Sequence, residues 1–224
     1  MLDLRLGPTK GPLRLLCLGA HPDDIEIGAG GCVLRLAEQD PTLIVRWVVF
    51  TGNAPRAAEA KASAREFLVG ARNTQVDVHG FRDGFLPYDG GAVKAEFERL
   101  KLSFDPLLIL THHLADAHQD HRLIAELTHN TFRNHLILEY EIPKHDGDLG
   151  NPPILVSLSA EQAQHKAAAI CRHFRSQKDR TWFREETFLA LARLRGAFTP
   201  NAGGYAEGFY CRKAVLEWPP AAIA

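Results

Sequence analysis

The chain has 224 residues, 46% apolar and 24% charged, with 26 Lys and Arg against 27 Asp and Glu and a net charge of −1. That balance excludes a grossly basic nucleic-acid binder, and the length lets a core form without covalent staples. No apolar run reaches 18 residues, and the start, MLDLRLGPTKG, lacks the unbroken apolar stretch of a secretion signal, so neither membrane insertion nor export is expected. Cys17, Cys32, Cys171 and Cys211 form no CxxC pair, which fits thiols in a reducing compartment and predicts a cytoplasmic protein.

The apolar run Leu13–Ala20 predicts a buried strand, stopped at His21-Pro22-Asp23-Asp24. A helix is expected over Asp24–Glu38, with Asp23 or Asp24 as its N-cap. Leu43–Phe50 reads as a second strand ended by Thr51-Gly52, and Pro55–Leu68 as a helix opening on proline. A third strand is expected at Gln75–Phe81, then a Gly/Pro-broken loop and a helix over Val93–Leu102. Asp105–Thr111 predicts a buried strand, Asp120–Phe132 a helix, and Leu136–Ile142 and Ile154–Leu158 two more strands. Ser159 with Gln162 has capping-box spacing for a helix over Ala160–Phe174. The remainder is less regular, with GAFTPNAGGYAEG as a long loop. No repeat or linker interrupts the chain, so one domain spanning 1–224 is expected. Strand–helix alternation over the first 140 residues predicts an α/β, Rossmann-like three-layer fold with a mostly parallel sheet.

Of the 11 histidines, six (His112, His113, His118, His121, His129 and His135) lie within 26 residues. Read alone, His21-Pro22-Asp23-Asp24 could be a turn with an Asp cap, and His118-Gln119-Asp120-His121 a polar loop. Both nevertheless follow predicted strands at the carboxyl end, where open α/β sheets bind ligands, so they are expected to meet. The spacing of Gly28, Gly30 and Gly31 does not fit G-x-G-x-x-G, and two carboxylates in the turn would repel a pyrophosphate. A cation suits that turn, and the glycines suit close packing of the helix on the sheet. Two imidazoles and a carboxylate make three ligands, which with water is the pattern of a catalytic zinc site.

His21-Pro22-Asp23-Asp24-Ile25-Glu26 with the three glycines, followed by His118-x-Asp120-His121, resembles the PIG-L/LmbE-type zinc deacetylases. Thr51-Gly52, Arg56-x-x-Glu59-Ala60, Lys166 with His173-x-x-Ser176-Gln177, and Tyr205-Ala206-Glu207 extend the resemblance over about 20–210. It implies that His21, Asp24 and His121 bind one zinc ion per chain, with Fe²⁺ or Co²⁺ as alternatives. It further implies Asp23 as general base, His118 as the histidine that stabilises the transition state, and Arg56 and Asp83 as sugar contacts. A helix-surface Arg and a turn Asp are the plainer readings of the last two. Gln119 stands where many relatives carry Pro.

The expected reaction removes acetyl from an N-acetylglucosamine-type amino sugar or glycoconjugate. His118, if protonated, would offset oxyanion charge, with Asp116 or Asp120 orienting it. The rivals are an amidase acting on an N-acyl or thiol conjugate and a silent sugar- or nucleotide-binding module. The expected partner is a small amino-sugar molecule, with no nucleic acid and no membrane; a homo-oligomer is left open.

Overall fold

The computed structural model describes residues 11–200 and 203–215. The chain start, on which the expectation of no secretion signal rests, lies mostly outside these residues. The strands are β1 (Arg14–Gly19), β2 (Ile44–Thr51), β3 (Asn73–Phe81), β4 (Leu108–His112), β5 (Leu136–Tyr140), β6 (Ile154–Leu158) and β7 (Tyr205–Tyr210). The helices are α1 (Asp24–Gln39), α2 (Ala54–Phe67), α3 (Gly90–Ser103), α4 (Gln119–Thr131), α5 (Ala160–His173) and α6 (Glu185–Gly196). The sheet order is β3-β2-β1-β4-β5-β7-β6. The first five strands run parallel, and β7 lies antiparallel between β5 and β6. This is the expected mostly parallel α/β sheet with helices on both faces.

The period of two along β1 divides its side chains between the layers. Leu15 and Cys17 join the core with Ile25, Trp47, Phe67, Tyr140 and Phe174, while Leu16 and Leu18 join Val48, Phe50, Phe97, Ile124 and Phe132. Fully burying each large side chain contributes about 1.5–3 kcal/mol, so both faces must be covered. Close packing of α1 depends on its glycines as expected. A Cβ at Gly28 would sit 2.2 Å from the Tyr140 ring, so no other residue lets β5 approach so near.

Several boundaries differ for physical reasons. The α3 helix starts at Gly90 rather than Val93, because a 3₁₀ turn at Leu86–Asp89 feeds directly into it despite the weak helix propensity of two glycines. The β4 strand covers Leu108–His112 rather than Asp105–Thr111, carrying one histidine of the cluster into the sheet. The irregular C-terminal reading missed α6 and β7. The capping box of α5 is present, with Ser159 Oγ accepting from the Gln162 amide and Gln162 Oε1 from the Ser159 amide. No helix among the described residues is long and apolar enough to cross a membrane.

Candidate metal centre

From β1 the chain runs through β2 and β3 on one side, then crosses to β4 and β5 on the other. The crevice between the carboxyl ends of β1 and β4 is therefore the switch point where ligands bind. His21-Pro22-Asp23 leaves β1 there, and residues 113–118 leave β4 beside it.

Three atoms converge at this point. His21 Nδ1 lies 3.1 Å from His121 Nε2 across 100 residues of sequence. Asp24 Oδ2 lies 3.3 Å from His21 Nδ1 and 3.5 Å from His121 Nε2. Zinc bonds of 2.0–2.1 Å at tetrahedral angles place ligand atoms about 3.3–3.4 Å apart, so the triangle matches the size of such an ion's coordination face.

The outer contacts fix which nitrogens face inward. Asp116 Oδ2, 3.0 Å from His121 Nδ1, accepts a hydrogen bond from the Nδ1–H, leaving the Nε2 lone pair toward the triangle. Asp116 Oδ1 accepts from the His118 amide and faces Lys144 Nζ at 3.1 Å. His21 Nε2 faces Asp120 Oδ2 at 3.2 Å and Asp83 Oδ1 at 3.1 Å, which turns Nδ1 inward. Two imidazole lone pairs and a carboxylate oxygen held this close require a cation or a shared proton between them. Burial opposes charging His21, yet Asp24, Asp120 and Asp83 raise it well above the ordinary imidazole value. Burial and the neighbouring His112 push His121 down to about 4, the neutral form a metal ligand needs. Burial also opposes a charged Asp24, but His121, His112 and His21 hold it well below the usual carboxylate range.

Asp23 behaves differently from its neighbour. It is the one non-glycine residue with positive φ among those described, at 105°. Such a left-handed residue stores about 1–2 kcal/mol of strain, least for Asp and Asn. Asp23 stands at the N-cap position of α1, yet its side chain accepts no capping hydrogen bond. Asp24 Oδ2 accepts from the His21 amide at 2.7 Å instead. Asp23 is thus the N-cap residue, as expected, but without a side-chain cap: Asp24 closes the turn, and Asp23 turns toward Arg56 Nη2, 3.2 Å away. Burial pushes Asp23 up to about 7 against the pull of that guanidinium.

His118 caps α4, its Nδ1 accepting from the Asp120 amide at 3.2 Å. The expectation that Asp116 or Asp120 orients His118 is therefore corrected. The carboxylates orient His121 and His21, and a backbone N–H fixes the His118 ring. Asp120 also accepts from the Gly84 and Leu86 amides at 2.7 and 3.1 Å, which anchors the loop carrying Asp83. Arg56 Nη1 and Asp83 Oδ2 are 4.0 Å apart, and the Asp83 side chain is 61% exposed. All seven expected site residues thus share one crevice. Missed from sequence were His112, Tyr140 and Lys144; only the position of His112 in the histidine cluster hinted at it.

The other quoted residues have structural partners. Thr51 Oγ1 donates to the Ala20 carbonyl at 2.8 Å, bracing the turn. Glu59 accepts from the Ser176 amide and hydroxyl at 3.0 and 2.6 Å. Lys166 Nζ donates to Glu207 Oε1 at 2.6 Å.

The described residues thus place buried His/Asp groups that could hold a metal ion at the switch point of a mostly parallel α/β sheet. The family described as PIG-L, GlcNAc-PI de-N-acetylase, matches residues 16–132, and the chain belongs to that family; its class is that of a deacetylase hydrolase. It is 28% identical over 172 residues, 71% of this chain and 89% of the relative, to the uncharacterized deacetylase YaiS of Escherichia coli (strain K12). The structure of N,N'-diacetylchitobiose deacetylase from Pyrococcus horikoshii superposes with a TM-score of 0.66 at 24% identity, covering 88% of this chain and 83% of that one. GalB, the 4-carboxy-2-hydroxymuconate hydratase of Pseudomonas putida KT2440, superposes with a TM-score of 0.70 at 18% identity, covering 93% and 100%. The fold thus also occurs in a hydratase, and the chemistry must be argued from the site.

Proposed function

We propose that this chain is a zinc-dependent N-deacetylase acting on an N-acetylglucosamine-type amino sugar or glycoconjugate. The observation that carries the reading is the convergence of His21 Nδ1, Asp24 Oδ2 and His121 Nε2 within 3.5 Å. Three protein ligands leave a coordination position for water, as in catalytic rather than structural zinc sites. Bound there, the ion would bring a water's pKa to about 7 and polarise the amide carbonyl. Fe²⁺ or Co²⁺ suits the same donors.

Asp23 is the base in this reading. It is not part of the ligand triangle, and its elevated pKa suits accepting a proton from water near neutrality and passing it to the leaving amine. His118 is the oxyanion donor. Because its Nδ1 accepts the Asp120 N–H, the neutral ring carries its proton on Nε2, and burial lowers its pKa further. A neutral N–H donor thus replaces the imidazolium considered from sequence. Arg56 holds Asp23 and, with the exposed Asp83, is assigned to the sugar hydroxyls.

The test is acetate release by zinc-loaded protein from N-acetylglucosamine, N,N'-diacetylchitobiose and an acetyl-lysine peptide. At least one amino sugar should be turned over faster than the peptide. Faster peptide turnover, or no acetate from any sugar, would sink the reading.

A further inference from the structure

We infer that His112 is a positioning residue for the metal centre, one that braces all three proposed ligands from the sheet side. The inference rests on the ligand reading above. His112 is the last residue of β4 and fully buried; its Nε2 groups with Asp24 and His121 but is taken up by the Ala20 N–H. Its ring stacks on His121 with centroids 3.9 Å apart and planes 20° from parallel. Its Nε2 accepts the Ala20 N–H at 2.9 Å, fixing the residue immediately before His21. The same nitrogen lies 3.1 Å from Asp24 Oδ2, the oxygen of the triangle. One side chain therefore touches two ligands and holds the backbone of the third.

A space-filling role does not account for these contacts. Nε2 takes the Ala20 amide and lies beside Asp24 Oδ2, whereas Nδ1 is buried without a partner. An unpaired buried polar atom is costly, a penalty that a leucine or phenylalanine filling the same space would not carry. What those residues lack is the acceptor for the Ala20 amide. The acceptor of the Ala20 amide is Nε2 itself; the Tyr140 hydroxyl lies 3.3 Å from that nitrogen and donates to the Leu18 carbonyl at 2.6 Å. His112 thus couples the end of β1 to the start of α4, the two segments that supply the ligands. Removing the ring frees His121 to tilt; removing Nε2 frees the Ala20–His21 backbone.

The test compares His112→Ala, His112→Phe and His112→Gln in the full chain. Phe keeps a flat ring without the acceptor, and Gln keeps an acceptor without the ring. Zinc affinity by chelator competition should fall about 10–100-fold in Ala and Phe, the usual cost of losing an outer-shell partner, and less in Gln. The visible absorption of the cobalt-substituted protein should change in the same order. Melting of the metal-free protein reads any purely structural contribution. Zinc affinity within twofold of wild type in the folded variants, with only melting lowered, would reduce His112 to core packing. Failure of all three to fold would overturn the positioning role as well. His121→Ala serves as the reference. If it keeps full zinc, the ligand reading itself has failed; if it loses zinc while the His112 variants bind normally, only this inference falls.

Discussion

Two regions of the molecule bury charge, and they do so in opposite ways. Over β7, one strand in from the edge of the sheet, Lys166 Nζ donates to Glu207 Oε1 and to the Ile27 carbonyl, both at 2.6 Å. Glu207 also accepts from the Gly31 and Cys32 amides, and Arg195 grips Glu141 with two bonds of 2.6 and 2.7 Å. These donors meet acceptors. At the β1/β4 crevice, by contrast, His21 Nδ1, His121 Nε2 and Asp24 Oδ2 converge within 3.5 Å, and only a proton held by His21 or a cation can keep them together. A saturated network holds a fold together. A convergence of lone pairs, backed by carboxylates, is a place for a cation.

The largest effect should come from the triangle itself. His121→Ala and Asp24→Ala should each take zinc content from about one ion per chain to near zero, with acetate release at background. Metal analysis alongside turnover checks this, and full occupancy in either variant would break the contrast drawn above.

Next comes Asp23→Asn, which should keep its metal and its fold because Asn tolerates the left-handed backbone at this position. Turnover should drop about 10²–10⁴-fold, the usual worth of a general base. Near-normal turnover would remove Asp23 from the mechanism.

The saturated network should answer differently. Lys166→Met strands Glu207 in the interior and should lower stability by about 3–5 kcal/mol in denaturant melts. Zinc bound per folded chain should stay unchanged. A loss of metal without a loss of stability would mean the two regions are not separable.

The centre was legible in the sequence because its residues are polar groups at the ends of apolar strands, a pattern packing alone does not produce. The two polar motifs stand out that way, and the resemblance singled out His21, Asp24 and His121 within them. His112 does not, because β4 is buried along its whole length and offers no alternation to show which way a side chain points. Lys144 sits in a Gly- and Asp-rich loop, where a lysine carries no signal until Asp116 is seen 3.1 Å away. The parallel strands were legible as short apolar runs, whereas in β7, YAEGFY, the Ala-Glu-Gly core breaks the apolar run and resembles a loop. Its glutamate is buried only because Lys166 meets it from α5, a contact 41 residues distant. Helix α6 was hidden for a similar reason. Its inward face includes Arg195, which counts as polar until Glu141 is placed against it.

The smallest effect concerns acid stability, and it lies between the two regions. Glu139 on β5 is buried, with Oε2 2.7 Å from His113 Nδ1 and Oε1 2.7 Å from His129 Nε2. Burial alone would raise its pKa, but these two histidines and the Leu114 N–H lower it to about 2. An unfolded glutamate titrates near ~4.3. The folded form therefore binds the proton less readily than the unfolded chain, and Glu139 contributes its full stabilisation above the unfolded value. That contribution is lost progressively as pH falls from ~4.3 toward 2. Glu139→Gln removes the titration but leaves acceptor and donor atoms in place, so its melting temperature should fall less steeply than that of wild type across this window. The comparison is best made on metal-free protein, where zinc release does not add its own pH dependence. Parallel slopes for the two proteins would show that the Glu139 charge gains nothing from its histidines, and that this junction behaves like an ordinary solvated pair.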